Sequence, residues 1–182
     1  MTLMEIRSAV LKQQGKSTDA QVVQENRDRL TVIINEGMID FTQDLNLRTT
    51  ETVDIGQKGI LDIAEDLAQE CTKLLGITQG GKAVAYGRGP STQQVKVEAS
   101  GEIDVEYRYV PAQLTNDTDV PGIPERLHPA LVNYALAKDN TTNDITAQQR
   151  AGQFYQLYEA AKLRARRMYG EPEYYRITHK YE

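Results

Sequence analysis

The stretch Gln94-Val-Lys-Val-Glu-Ala-Ser-Gly101-Glu-Ile-Asp-Val-Glu-Tyr-Arg-Tyr109 rules out an all-helical chain. Val95, Val97 and Ala99 alternate with Gln94, Lys96 and Glu98, and Ile103, Val105, Tyr107 and Tyr109 alternate with Asp104, Glu106 and Arg108. A period of two marks extended chain with one buried face. Two such runs joined at Ser100-Gly101 predict a hairpin, and the pattern selects its loop. A two-residue turn would set Val97 opposite Asp104 and mix the faces. A three-residue loop, Ala99-Ser100-Gly101, gives Gly101 the left-handed position and pairs Val97 with Ile103, Val95 with Val105 and Lys96 with Asp104.

Upstream of this stretch, Thr49-Thr-Glu-Thr-Val53 and Ile55 also favour extended chain, and glycines gather between Gly56 and Gly101. Residues 60–75 stay open, because Ile60, Ile63, Ala64, Leu67 and Leu74 suit a helix as well as strand pieces around a turn. Gly76-Ile-Thr-Gln-Gly-Gly81-Lys82 fits seven positions of a phosphate-binding loop, but Ala83 stands where a magnesium-binding hydroxyl belongs. Glycines and a proline follow instead of a helix, so the stretch is expected to be a glycine-rich β-turn. Gly87-Arg-Gly89 likewise has Thr92 in place of the last glycine of a dinucleotide fingerprint.

Outside this region the period changes to that of helices. Thr2 and Glu5 have capping-box spacing ahead of Leu3, Ile6 and Val10, and Gly15 ends that first helix. Ser17-Thr-Asp19 offers a new start for a second helix over 19–45. Its stripe holds Val23, Leu30, Ile33, Ile34, Gly37, Met38, Phe41 and Leu45. Gly37 costs about 1 kcal/mol relative to alanine unless it permits a close contact or a bend. After Pro111 and a polar, proline-bounded linker at 116–124, a third helix has Pro129 near its first turn. It carries Leu127, Leu131, Tyr134, Ala135 and Lys138 along one side. A turn at 139–144 leads to a fourth helix with Phe154, Leu157, Tyr158, Ala161, Ala165 and Met168 at helical spacing, stopping at Gly170. Leu30, Ile34, Phe41, Leu131, Tyr134, Phe154, Leu157 and Ala161 are the expected centre of the core.

With 182 residues one real core is expected, and a net charge of −5 argues against coating nucleic acid. Cys71 is alone, and His128 and His179 lack partners at metal-ligand spacing, so His128 is expected to cap or pack. Synthesis in a reducing interior fits this cysteine count. Residues 1–16 lack the apolar run of a signal peptide, and no stretch approaches membrane-spanning length. Glu65, Asp66 and Glu70 are expected to form a solvated face, since no pocket is in sight to raise a carboxyl pKa. No catalytic residue, cofactor or metal is expected, hence no enzyme. The one dense basic cluster is Lys162, Arg164, Arg166 and Arg167. At the end of the fourth helix it complements the dipole, and an acidic partner or DNA is its other candidate contact. A nucleic-acid-binding protein using that helix is the alternative function.

Four strings carry a resemblance: Tyr107-Arg-Tyr-Val-Pro111, Leu114-Thr-Asn-Asp-Thr-Asp-Val-Pro121, Ile123-Pro-Glu-Arg-Leu-His-Pro-Ala-Leu-Val-Asn-Tyr-Ala-Leu-Ala137 and Ala151-Gly-Gln-Phe-Tyr-Gln-Leu-Tyr158-Glu. Together they resemble the head-to-tail adaptor (connector) proteins of tailed bacteriophages, most specifically from Leu114 onward. The resemblance implies an α+β, mainly α fold: a four-helix bundle with an inserted small antiparallel β lobe and an extended C-terminal tail. As one adaptor domain, 1–48 and 124–170 would be helical pairs, 49–115 the β insertion and 171–182 the tail. Strand pieces are implied for the open region, although Gly59-Ile-Leu-Asp-Ile-Ala lacks the proline of the family's Tyr-x-Leu-Pro step.

The implied function is structural. Copies made in the host cytoplasm would form a ring of about twelve in the virion neck. The ring would join the portal protein to a tail, nozzle or stopper protein and line a channel that DNA traverses without sequence-specific binding. No membrane is involved. The tail alternates Tyr175, Ile177, His179 and Tyr181 against Tyr174, Arg176, Thr178 and Lys180. Tyr174, Tyr175, Ile177, His179 and Tyr181 are the expected portal-binding residues, and folding back on the bundle is the alternative.

Overall fold

A computed structural model describes residues 1–139 and 145–169. Helix α1 (Leu3–Gln13) starts as its sequence predicts. The Glu5 N–H donates to Thr2 Oγ1 (3.3 Å), and the Thr2 N–H donates to the Glu5 carboxylate (2.9 Å). It closes at Gly15 (φ 73°), where the N–H groups of Gly15 and Lys16 return to the carbonyls of Lys12 and Leu11. That is the double bond of a left-handed helix end, which a glycine makes without steric cost.

The expected single helix over 19–45 is two, α2 (Ala20–Glu25) and α3 (Arg27–Asp44). Between them Asn26 leaves helical geometry (φ −99°, ψ 4°), and its amide donates to the Val22 carbonyl at 2.8 Å. An asparagine that satisfies nearby backbone competes with the helix, which apolar periodicity alone does not register. The stripe survives the break, since Val23, Leu30, Ile34, Met38, Phe41 and Leu45 are all buried.

Helix α4 (His128–Lys138) follows a single 3-10 turn (Glu125–Leu127), with Pro129 in its first turn. His128, Ala130, Leu131, Val132, Tyr134, Ala135 and Leu136 are buried, so α4 is a central rod rather than an element with one apolar side. Helix α5 (Ile145–Tyr169) lies against α4 and α3. Gly37 decides how closely α3 and α4 meet. A Cβ there would stand 2.7 Å from Cδ1 of Tyr134, so the ring occupies the space the missing side chain leaves.

The polar linker is clamped onto this helical layer. Buried Asn35 bonds both backbone groups of Leu114, at 3.0 and 2.9 Å. The fully buried Arg7 pairs with Asp117 at 2.7 Å, and the first amides of α1, Leu3 and Met4, donate to Asp119 and Asp117 carbonyls. At the end of α4, Asp139 is buried between Gln14 and Arg29.

The β region departs most from expectation. Strand β6 (Gln94–Val97) and strand β7 (Glu102–Val110) do not pair, so the predicted hairpin is absent. Strand β7 lies between β1 (Arg48–Asp54) and β3 (Glu70–Gln79), with β4 (Lys82–Ala83) at the edge. Strand β6 lies between β2 (Ile60–Asp62) and β5 (Tyr86–Arg88) in a second antiparallel sheet. Val97 from one sheet and Ile103, Val105 and Tyr107 from the other share one core. The alternation thus identifies the buried face correctly, but the two faces meet across sheets instead of side by side. Gly101 does take a positive φ (81°), in a connection between sheets.

Residues 60–75, left open by the sequence, are two strand pieces around a turn. The glycine-rich stretch is a β-turn as expected. Thr78 and Gln79 pair with Ala83 and Lys82 across Gly80-Gly81, whose φ values are 57° and 78°. Two successive positive φ angles match the twist of tight hairpins.

The expected four-helix bundle with a small inserted lobe is therefore incorrect. The described residues hold five α-helices and two antiparallel sheets, with 23% strand. The helical core and the sheet core are separate clusters with no buried residue in common. The Asn26 break adds the fifth helix, and sorting of adjacent strands into two sheets makes the β part sizeable.

The Gly37 contact yields a test. On an open helix Gly37→Ala would gain about 1 kcal/mol. Here the added methyl must displace a packed ring, so the variant is expected to lose about 1–3 kcal/mol. Urea unfolding of both proteins reads this, and a gain in stability would show that the ring yields freely.

Candidate functional site

The outer helices α3 and α5 hold the residues on which interaction arguments rest. Tyr158 seats α5. Its ring meets Phe41 edge-on (5.1 Å between centroids) and Tyr134 at 4.8 Å. Its hydroxyl donates to Asp40 Oδ2 at 2.5 Å and lies 3.2 Å from the Gly37 carbonyl. Burial, then the bond to the Asp40 carboxylate, push the phenol far above its ordinary pKa. The residue is neutral and structural.

One turn on, Lys162 Nζ lies 2.8 Å from Asp40 and 3.4 Å from Asp44, and Arg166 Nε lies 3.9 Å from Asp44. Burial pushes the Asp40 carboxyl up. The hydrogen bonds from Lys162 and Tyr158 and the charges of Lys162 and Lys138 outweigh it and hold the pKa below its ordinary value. Burial likewise lowers Lys162, but Asp40, Asp44 and Glu159 bring it above its ordinary value.

The basic cluster is thus divided. Lys162 is held by Asp40 and Asp44, and Arg166 is exposed but lies beside Asp44, whereas Arg164 and Arg167 are exposed and have no charged partner among the described residues. The matching spacing was visible in sequence: Asp40 and Asp44, like Lys162 and Arg166, are four residues apart with opposite sign. Nothing in the sequence said that these two helices would be neighbours.

The expected core needs a matching correction. Tyr158 and Ala165 are fully buried and Phe154 and Ala161 partly so, but Leu157 is 55% exposed and Met168 60%. Both sit one step round the helix from the buried line through 154, 158, 161 and 165, beside Arg164. The stripe was drawn too wide, because α4 is narrow and fills only the middle of it. On α3 the outward side shows Asp28, Val32 and Glu36, continuing from Glu25 of α2, with Val32 58% exposed.

The remaining candidates are quiet. His128 is buried at the start of α4, its Nε2 donating to the Ile123 carbonyl (3.1 Å) and its Nδ1 2.9 Å from the Met1 nitrogen. Burial holds its pKa below the ordinary value, in keeping with a packing role. Glu65, Asp66 and Glu70 are exposed, and no three metal-binding side chains come together among the described residues. Burial raises the Cys71 thiol pKa, which disfavours a reactive thiolate. No helix among the described residues is long and apolar enough to cross a membrane. Tyr174, Tyr175, Ile177, His179 and Tyr181 lie outside the described residues.

A family model described as SU10 adaptor protein matches residues 1–176. No curated protein matches the chain.

The Tyr158–Asp40–Lys162 cluster sets two expectations. Tyr158→Phe is expected to cost about 1–3 kcal/mol, since it removes a donor to a charged acceptor. The advantage of the native chain over Asp40→Asn should be fully present between pH 3.8 and 10.5, the ordinary values of the two charged groups. With Asp40 depressed, it falls as pH drops through the lower folded-state value. With Lys162 raised, it falls as pH climbs through the higher one. Denaturant midpoints of both proteins across pH check this, and a gap that peaks outside that window would contradict it.

Proposed function

The chain belongs to the SU10 adaptor protein family, structural proteins of bacteriophages, and on that premise we propose that it is a ring subunit of the virion neck. Copies of it join the portal to a tail-side protein and surround the channel through which DNA passes. The single observation that carries this reading is the family match, which spans residues 1–176 and therefore both the helical and the sheet halves.

Two features of the molecule support it over the nucleic-acid-binding alternative. The helix that would have met DNA has Lys162 and Arg166 engaged by Asp40 and Asp44. Net charge is −5, opposite to what counterion-driven phosphate binding needs. An acidic subunit suits passage, because DNA is not held by the wall it slides along.

Within this reading residues 171–182 contact a portal subunit through Tyr174, Tyr175, Ile177, His179 and Tyr181, by strand addition or by burying the aromatic rings. Free protein is mostly monomeric and closes into a ring on meeting the portal, since like net charge opposes spontaneous closure.

Co-purification with the portal protein tests the function directly, and failure of the full chain to bind portal would overturn it. Deleting residues 171–182 is expected to abolish portal binding while the melting temperature stays nearly unchanged. Full binding by the truncated chain, or a loss of several degrees, would assign the tail to the fold instead.

A further inference from the structure

Two faces of the helical half remain open, and they are opposite in charge. One runs down α2 and α3 through Glu25, Asp28, Val32 and Glu36, at steps of three and four residues that keep them in line. All four are exposed, and Arg29, the basic residue beside that line, is engaged by the buried Asp139. The other runs down the solvent side of α5 through Arg150, Leu157, Arg164, Arg167 and Met168, again all exposed. Among the described residues none of Arg150, Arg164 and Arg167 has an acidic partner, and Glu159 lies on the opposite flank with Tyr155 and Arg166.

Each face has an apolar centre that water does not favour. Val32 is 58% exposed on the acidic face, and Leu157 and Met168 are 55% and 60% exposed on the basic one. Three acidic residues against three basic ones, each set around exposed aliphatic side chains, is the pattern of a complementary contact with an apolar centre and a charged rim. The faces cannot meet within one chain. Asp40 and Asp44 already turn a different side of α3 toward α5, fixing both outer faces to solvent.

The geometry points to a second copy of this chain as the occupant: the basic face of α5 on one copy packs against the acidic face of α2 and α3 on the next. Because two different surfaces meet, the contact is heterologous, and repeated application gives a ring where the rotation closes. The inference rests on the ring reading above and says which surfaces make the ring.

Charge reversal tests it without needing the register. Glu25→Lys/Asp28→Lys/Glu36→Lys and Arg150→Glu/Arg164→Glu/Arg167→Glu are each expected to raise the concentration for half-maximal assembly on portal about tenfold or more. The chain carrying all six changes should regain assembly, as native mass spectrometry of the portal mixture would show. A second measurement uses the free chain and the portal mixture in a Cys71→Ser background. Mixing Val32→Cys with Leu157→Cys protein should give cross-links between positions 32 and 157 in preference to like-with-like pairs.

If native protein assembles on portal, yet both triple variants do so equally well or only like-with-like cross-links form, the contact lies elsewhere and the inference fails while the adaptor reading stands. If portal is not bound but 32–157 cross-links form, the contact stands and the adaptor reading falls. If neither occurs, both fall.

Discussion

The absence of a side chain at Gly37 is the constraint on which the helical half is arranged. It lets the Tyr134 ring lie on the backbone of α3, so α3 and α4 approach more closely than any other residue would permit. Tyr158 then fills the angle between Tyr134 and Phe41, and its hydroxyl reaches the Gly37 carbonyl and Asp40. From that point Lys162 and Arg166 fall opposite Asp40 and Asp44. One small residue therefore sets the azimuth of a 25-residue helix, and with it which residues of that helix face water.

Helix existence and the buried faces of the strands were legible in the chain, because both follow from local periodicity. Thr2 and Glu5 announced the first helix to the residue, and Gly80-Gly81 announced a tight turn where a phosphate loop had been the rival reading. Strand partnership was not legible. Val95 and Val97 carry the same alternation whether their strand pairs with β7 or lies in another sheet, since both arrangements bury the same face. The linker was read as polar and proline-bounded, but not as fastened. Its fastening, and that of the residues leading into it, is long-range: Arg7 to Asp117, and Asn35 to Leu114. A buried arginine in an amphipathic first helix gives no local sign of the aspartate 110 residues away that receives it.

The charge pattern of α5 was half legible for the same reason. Composition identified its basic cluster, but not which members the chain itself engages. Which arginines remain available depends on the neighbour, and Asp40 and Asp44 are remote in sequence. Leu157 is instructive. Its spacing from Phe154 and Ala161 belongs to a core stripe, yet α4 is too slender to cover it. A hydrophobic pattern can be wider than the neighbour it packs on, and periodicity alone cannot say which part of the width is covered.

The two cores have no buried residue in common. Free-energy changes at sites without shared partners are close to additive, so a substitution behind β7 is felt little at Phe41 or Tyr158. Selection can then act on the two halves separately. The sheet half is free to alter its loops and length in answer to whatever it touches, while the helical half retains the shape that its own contacts demand. Divergence in such a lineage would be uneven along the chain, fast between residues 48 and 110 and slow on either side. A laboratory exchange of sheet halves between relatives would need to match the two crossings, at Leu47 and Leu114, and the close contact of Pro111 with Gly122.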